Sequence, residues 1–350
     1  MDARGDLLSF ETLPDRVEDV DHLEELLSRP SQPLIDDFAR LEGDILVLGV
    51  GGKVGPTLAR LAKRAAPGKR VIGVARFSDP AVKRGLEAAE IETVSCDLLE
   101  REQLAKLPDA PNVVYMAGKK FGTETDPSFA WAMNVKVPAM VAERYPASRI
   151  VAFSTLCVYG FAPVASHGWD ESVEPRPLGD YANSCVGRER MFRYHSLQHG
   201  TPGRLMRLNY AIDLRYGVLH DIARWVKERK TIPLAAGHAS VIWQGDSSAQ
   251  ILRSLLHCTT PTTPLNIGGP ELASVRMLAT EFGRRFGIEP LFEGVESDEG
   301  WINNTLAAQR LFGNPVVPLA KMIDWTADWV GRDMPSHDKP THYEERGGRF

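Results

Sequence analysis

The sequence predicts an α/β protein: a doubly wound parallel sheet, followed by a smaller domain of mixed α/β structure. Three observations carry that expectation. Short apolar runs alternate with amphipathic segments from residue 44 onward. The runs are continuous, not alternating, which suits strands buried on both faces. A glycine-rich turn follows the first run and opens a helix.

Residues 1–43 read as an acidic helical arm. Val20, Leu23, Leu26 and Leu27 have helical spacing, and Pro30 and Pro33 end the segment. Strands are expected at 45–48, 71–74, 91–94, 113–116 and 150–153. Helices are expected between them, near 55–66, 80–89, 98–106 and 127–144. Repeated β-α units of this kind build a parallel sheet. A proline-bearing stretch, 161–180, leads to a long helix at about 181–199 and a strand at 204–208. The first domain is therefore placed at 44–210. From 211 to 330 the spacing is less regular, with helices near 218–229, 246–257, 273–286 and 318–330. That region supplies most of the second domain, with parts interleaved with the first. Residues 331–350 are polar and read as an extended tail. No internal repeat is visible.

Composition narrows the function. The chain has 350 residues, 43% of them hydrophobic and 25% charged, which excludes disorder, collagen and coiled coil. The charge sum is 41 minus 46, or −5, so nothing electrostatic favours nucleic acid or an anionic membrane as a partner. No apolar run approaches the ~20 residues that span a bilayer. The first residues are neither basic nor apolar, so no signal peptide is expected. Cys96, Cys157, Cys185 and Cys258 are scattered and form no C-x-x-C pair. This points to a reducing cytoplasm and away from a zinc ribbon or disulfide framework. His195 and His199 have no third partner in sequence, and no metal is expected.

The turn after the first strand reads Gly49-Val50-Gly51-Gly52-Lys53-Val54-Gly55. Glycines let the backbone approach a pyrophosphate, whose charge then sits on the helix N-terminus. The spacing that fits is Gly49-x-x-Gly52-x-x-Gly55, because Val54 stands where another spacing needs glycine. The loop residues Gly49, Gly52, Lys53, Val54 and Gly55 are thus candidate dinucleotide ligands, and the first domain is a Rossmann domain. The second strand ends in Arg76, not in the acid that would bind the ribose 2′-hydroxyl of NAD. A guanidinium there, helped by Ser78, suits the 2′-phosphate of NADP. Stacking on the adenine would serve NAD equally, so both cofactors stay open, with NADP favoured.

The glycine spacing resembles the extended short-chain dehydrogenase/reductase family, the NAD(P)-dependent epimerases and dehydratases. Other segments match in order: Cys96-Asp97-Leu98, Met116-Ala117-Gly118, Asn134, Phe153-Ser154-Thr155-Leu156-Cys157-Val158-Tyr159-Gly160, Pro177-Leu178-Gly179-Asp180-Tyr181 and Asn266-Ile267-Gly268-Gly269-Pro270. The likeness covers about 44–330. It implies that Asp97 and Leu98 meet the adenine, that Ala117, Gly118 and Asn134 lie beside the cofactor, and that Asn209 contacts nicotinamide or substrate. It also implies that Thr155 and Tyr181 hydrogen-bond the substrate's carbinol oxygen, with Tyr181 passing a proton. Lys119, Lys120 and Trp243 join Thr155 and Asn209 as candidate substrate contacts, Trp243 reading equally well as a core anchor.

One expected residue is missing. The family places a lysine four residues after the tyrosine, where it binds the nicotinamide ribose and lowers the tyrosine pKa. This chain has Cys185 there. A free tyrosine is only about a thousandth ionised at neutral pH, and a thiol supplies no positive charge. Lys119, Lys120 or Arg188 could replace that charge, Lys119 being the first candidate. The implied function is NAD(P)-dependent oxidation, reduction or epimerisation at a hydroxyl-bearing carbon of a sugar, sugar acid or nucleotide sugar. The rival is a catalytically degenerate NAD(P)-binding sensor or structural protein. A homodimer is compatible with either.

Overall fold

The computed structural model describes residues 7–123 and 125–349. Seven strands form the main sheet: β1 Ile45–Leu48, β2 Val71–Ala75, β3 Glu92–Ser95, β4 Asn112–Tyr115, β5 Arg149–Thr155, β6 Gly203–Leu208 and β7 Thr263–Ile267. All pairings are parallel, in the spatial order β7-β6-β5-β4-β1-β2-β3. The chain runs outward from β1 to one edge, returns, and runs outward from β4 to the other. The order therefore reverses between β1 and β4. In such sheets ligands bind at the carboxyl ends of the strands beside that switch point.

The continuous apolar runs serve both faces. Ile45 and Val47 point into the layer holding helices Gly55–Ala65 and Gln244–Arg253, while Leu46 and Leu48 point into the layer with Val137–Arg144 and Gly179–His199. This is why alternation is absent from the sequence. Edge strand β3 is the least buried of the first four, and its sequence Glu-Thr-Val-Ser is the most polar.

Two local readings need adjustment. The helix expected at 98–106 forms only over Arg101–Ala105, because Leu99 N–H turns back to Asp97 Oδ1 at 3.0 Å. The run expected at 127–144 is helical throughout, but it contains a π turn at Ala132–Lys136, centred on Asn134. Such insertions re-aim side chains.

Helices Val218–Lys227, Val275–Phe286 and Leu319–Gly331 make the second lobe, packed around Trp243, Trp325 and Trp329. The arm helix Val20–Leu27 buries Leu23, Leu26 and Leu27 in that same core. The tie is reinforced where Trp325 Nε1 donates to Pro14 O at 3.0 Å. The last stretch is extended, as expected, but it is not loose. Thr341 and Tyr343 are each 2% exposed, held against the second lobe by Asp221 and Trp225.

Candidate active site

A cavity of about 350 Å³ opens over the carboxyl ends of the strands at the switch point. The glycine loop forms one wall, Arg76, Phe77 and Ser78 another, and Asp97, Ala117 and Gly118 the rest. The three motif glycines have different reasons to be glycine. Gly49 has φ +93°, and a Cβ there would lie 2.5 Å from Ala117 N. A Cβ on Gly55 would lie 2.1 Å from Val50 O. Both are demanded by the loop itself. Gly52 is not: a Cβ there would meet nothing nearer than Gly49 O at 3.5 Å. Its bareness serves something outside the protein, which fits a pyrophosphate lying over the loop.

Arg76 is exposed at the cavity's rim, directly after β2. The neighbouring acid, Asp79, is occupied capping the next helix, where Oδ1 accepts from Ala81 N–H at 2.8 Å. Asp97 is oriented by its own backbone: its N–H donates to Gln103 Oε1 at 2.9 Å. Val54 immediately precedes the helix Gly55–Ala65. Lys53 leaves the loop altogether and lies over the ring of Tyr216 in the second lobe. Burial lowers its pKa to about 7, against the pull of Asp213 and with the help of nearby Lys120.

A second cavity, of about 250 Å³, shares Met116 and Gly118 with the first. Around it stand Lys119, Lys120, Thr155, Tyr181, Arg188 and Asn209. Thr155 ends β5, and Tyr181 lies in the first turn of the helix Gly179–His199. The Tyr181 hydroxyl hydrogen-bonds Thr155. Strand end and helix start thus bring together two residues that are 26 positions apart in sequence (181 minus 155). Beside a dinucleotide-shaped cleft, a tyrosine and a threonine sharing a hydrogen bond can hold one hydroxyl oxygen and move its proton. The family model for NAD-dependent epimerases and dehydratases matches residues 45–218, which contain every one of these groups. The chain belongs to that family.

Solved structures share the fold. UDP-glucuronic acid 4-epimerase from Bacillus cereus, in complex with NAD, has a TM-score of 0.68 at 18% identity, covering 83% of this chain and 99% of that one. dTDP-glucose 4,6-dehydratase from Bacillus anthracis, also with NAD, has a TM-score of 0.70 at 17% identity, covering 83% and 97%. UDP-glucose 4-epimerase from Thermotoga maritima, with UDP-glucose, has 0.68 at 16% identity, covering 83% and 99%. No curated protein sequence matches the chain.

In this epimerase/dehydratase family member the place of the family lysine is dry and uncharged. Cys185 is fully buried against Val158 and Tyr159, and burial pushes its thiol up to about 11. Burial, together with Cys185 and Cys157, holds Tyr181 well above its ordinary range, while Arg188 and the Thr155 hydrogen bond pull it down. Arg188 is no surface residue. It is 5% exposed, with Nη1 donating to Phe153 O at 2.9 Å and Nη2 to Asn134 Oδ1 at 2.6 Å. A Cβ on Gly118 would lie 2.3 Å from Nη2, so the guanidinium explains why residue 118 is glycine.

Lys119 and Lys120 both line the pocket; Lys119 Nζ lies 5.3 Å from the ring of Phe129, and Lys120 is within electrostatic reach of Cys157 and Cys185. Two expectations are corrected here. Asn134 does not face the cofactor cleft. Its Oδ1 accepts from Lys119 N–H at 2.9 Å and from Arg188, and its Nδ2 donates to Lys119 O and Ser184 Oγ, both at 2.9 Å. It clamps the loop after β4 to the long helix. Trp243 is not in the substrate pocket either. It is wholly buried in the second lobe, edge to face with Trp325 at 5.4 Å, because its strand points it inward. Asn209 does line the pocket, with Nδ2 donating to Asn303 Oδ1 at 2.7 Å.

Behind Thr155 lies a buried network that joins the motif residues Ser154, Tyr159 and Asn266 through Glu189 and Arg207, which no motif contains. Glu189 accepts from Ser154 Oγ at 2.6 Å and from Arg207 Nη2 at 2.7 Å; Arg207 Nη1 donates to Tyr159 at 2.7 Å, and Tyr159 donates to Asn266 Oδ1 at 2.9 Å. It ties the long helix to the ends of β5, β6 and β7. Among the described residues no cluster of His, Cys, Asp and Glu could hold a metal, and His195 and His199 simply stack at 5.9 Å. No helix of the described residues is long and apolar enough to cross a membrane.

Proposed function

We propose that the protein is an NAD(P)-dependent oxidoreductase or epimerase acting at a hydroxyl-bearing carbon of a sugar, sugar acid or nucleotide sugar. The observation that carries this is the Thr155–Tyr181 pair at the floor of a pocket that shares a wall with the dinucleotide cavity. A nicotinamide dinucleotide held by the glycine loop, Asp97, Ala117 and Gly118 would supply or take the hydride. The chain's own residues do the rest. Thr155 donates to the carbinol oxygen and fixes its distance from Tyr181. Tyr181 takes the hydroxyl proton as the C–H bond breaks and returns it in the reverse direction. Burial works against the phenolate this needs, and the positive charge of Arg188 works for it; Lys120 lines the same pocket. Purified protein, titrated with NAD and NADP and offered free and nucleotide-linked sugars, tests the reading. Tight dinucleotide binding with no turnover on the whole panel would make the protein a sensor or a structural subunit instead.

In this reading Lys120 takes over the electrostatic role of the missing lysine. An opposite charge nearby shifts a pKa by roughly 1–3 units. Lys120→Met should therefore lower turnover at neutral pH by roughly 10–10³-fold. The deficit should shrink at high pH, where Tyr181 ionises unaided. Cys185→Ser should be nearly silent. pH–rate profiles of the two variants check this, and strong inactivation by Cys185→Ser would make the thiol itself the reactive group.

The cofactor is further read as NADP in preference to NAD, supported by Arg76 at the end of β2 and by the capping role of Asp79. The Bacillus relatives named above are NAD complexes, so this choice is specific to the present chain. Arg76→Ala should cost about 1.5–3 kcal/mol of NADP binding, the worth of a charge-assisted hydrogen bond, and far less of NAD binding. Dissociation constants for both cofactors decide it. Equal losses, or tighter binding of NAD by the unaltered protein, would assign the site to NAD.

A further inference from the structure

The carboxylate of Glu189 and the guanidinium of Arg207 are buried together behind the candidate site, their side chains 7% and 5% exposed. They meet in a fork: Arg207 Nε donates to Glu189 Oε1 at 3.0 Å and Nη2 donates to Oε2 at 2.7 Å. Oε1 also accepts from Ser154 Oγ at 2.6 Å, and Arg207 Nη1 donates to the Tyr159 hydroxyl at 2.7 Å. Tyr159 passes the tie on to Asn266, whose Nδ2 donates to Trp169 O and Asn304 O, each at 2.9 Å. Stability alone does not account for such a pair. Taking two charges out of water is costly, and apolar residues of similar volume often serve a fold as well. What a two-pronged fork supplies is fixed geometry.

Three segments that build the site meet at this pair. Glu189 lies on the helix Gly179–His199, eight residues after Tyr181. Ser154 directly precedes Thr155 in β5. Arg207 stands in β6, two residues before Asn209. Ser154, Thr155, Tyr181 and Asn209 all line the pocket of about 250 Å³, whereas Glu189 and Arg207 are not among its described lining residues. The pair therefore acts on the pocket through its neighbours. The Thr155–Tyr181 hydrogen bond joins the end of β5 to the long helix. Its length depends on the separation of those two elements. The Ser154–Glu189 bond sets that separation, one residue back along the strand and about two turns on along the helix. A misplacement of about 1 Å at a reacting group costs roughly 100-fold in rate.

We propose that Glu189 and Arg207 are positioning residues: their buried pair holds the end of β5 against the long helix at the separation that lets Thr155 and Tyr181 share one hydroxyl oxygen. This rests on the oxidoreductase or epimerase reading and deepens it. The test uses full-length Glu189→Met/Arg207→Met, which removes both charges together and leaves neither buried alone. That variant should melt within about 5 °C of the unaltered protein. Its crystal structure should show the Tyr181 and Thr155 hydroxyls no longer within hydrogen-bond distance. Dinucleotide affinity should change less than about twofold, because neither residue is among the described lining of the dinucleotide cavity. UDP-glucose, UDP-glucuronate and glucuronate serve as probes of turnover. On whichever is turned over, kcat should fall roughly 10–10²-fold while KM stays within about threefold. Arg207→Lys should share the loss, since it keeps the charge but cannot make the fork. An intact hydroxyl pair in the double variant, or full kcat in Arg207→Lys, would overturn the positioning role. If the double variant does not fold, Ser154→Ala, which keeps the ion pair and cuts its tie to β5, is read in the same two ways, with a kept hydroxyl contact again overturning the role. Silence of the unaltered protein on all three probes, or failure to bind any dinucleotide, would count instead against the enzymatic reading, and the crystal structures would still decide the positioning.

Discussion

Gly52→Val should abolish dinucleotide binding without unfolding the protein. The expectation comes from the contrast among the loop glycines. Valine at 49 or 55 would drive a side chain into Ala117 or Val50, and the loop would have to rebuild. At 52 the nearest obstacle to a Cβ is 3.5 Å away, an ordinary contact. The branched side chain would then stand over the loop, where the pyrophosphate approaches the backbone N–H groups of the helix N-terminus. Binding should fall by more than about 100-fold, the scale of losing several charge-assisted hydrogen bonds at once. Thermal unfolding of the apo protein should move little. Nicotinamide fluorescence titration beside a melting curve reads both quantities. Unchanged affinity in a folded Gly52→Val variant would remove the dinucleotide from this loop.

Tyr181→Phe should lower turnover by roughly 10²–10⁴-fold, the usual worth of a positioned acid–base. The hydroxyl is lost while the ring, which is buried with Cys157, Cys185 and Trp301 in the clusters around the helix start, is kept. Cofactor affinity should therefore change less than about twofold, since the removed group hydrogen-bonds Thr155 and not the glycine loop. The pH dependence carries the sign of the assignment. Burial holds Tyr181 protonated through neutral pH, so oxidation by the unaltered protein should accelerate as pH rises toward the tyrosine range. That slope should vanish in the phenylalanine variant. Full activity in Tyr181→Phe would move the proton transfer elsewhere, with Lys120 the first alternative.

Much of the architecture was legible from residue patterns because its causes are local. Four buried strands announced themselves as continuous apolar runs, and the phosphate loop as glycines between a strand and a helix. Thr155 and Tyr181 were singled out by the family resemblance, and the folded chain brings them into one pocket with a hydrogen bond between them. What misled were polar residues at element ends that turn inward. Asn134 carries a family motif position, yet the π turn aims its amide at Lys119, Arg188 and Ser184. Tyr159 and Asn266 also lie in motifs, yet they bond each other beneath the strand ends. A sequence shows that a polar group is present at a strand end but not which way it faces. The packing of the last stretch was illegible because it has no periodicity and its burial depends on Asp221 and Trp225, more than 100 positions earlier.

The guanidinium locked beneath Gly118 has a consequence for when the electrostatic work of this site is done. Arg188 is held by Phe153 O and Asn134 Oδ1 and capped by a residue too small to yield space. Its charge is fixed in position as the chain folds, so it undergoes no reorientation when a ligand arrives or a proton moves. A dipole or charge that need not reorganise during the reaction lowers the barrier by the part of the reorganisation energy that water would have required. Arginine also keeps its proton at every accessible pH. The field it casts on Tyr181 is thus a constant background. Lys120, in the same pocket, is pulled the other way, since burial disfavours its ammonium. On the proposed reading the positive potential at Tyr181 is built into the fold and does not wait for a ligand.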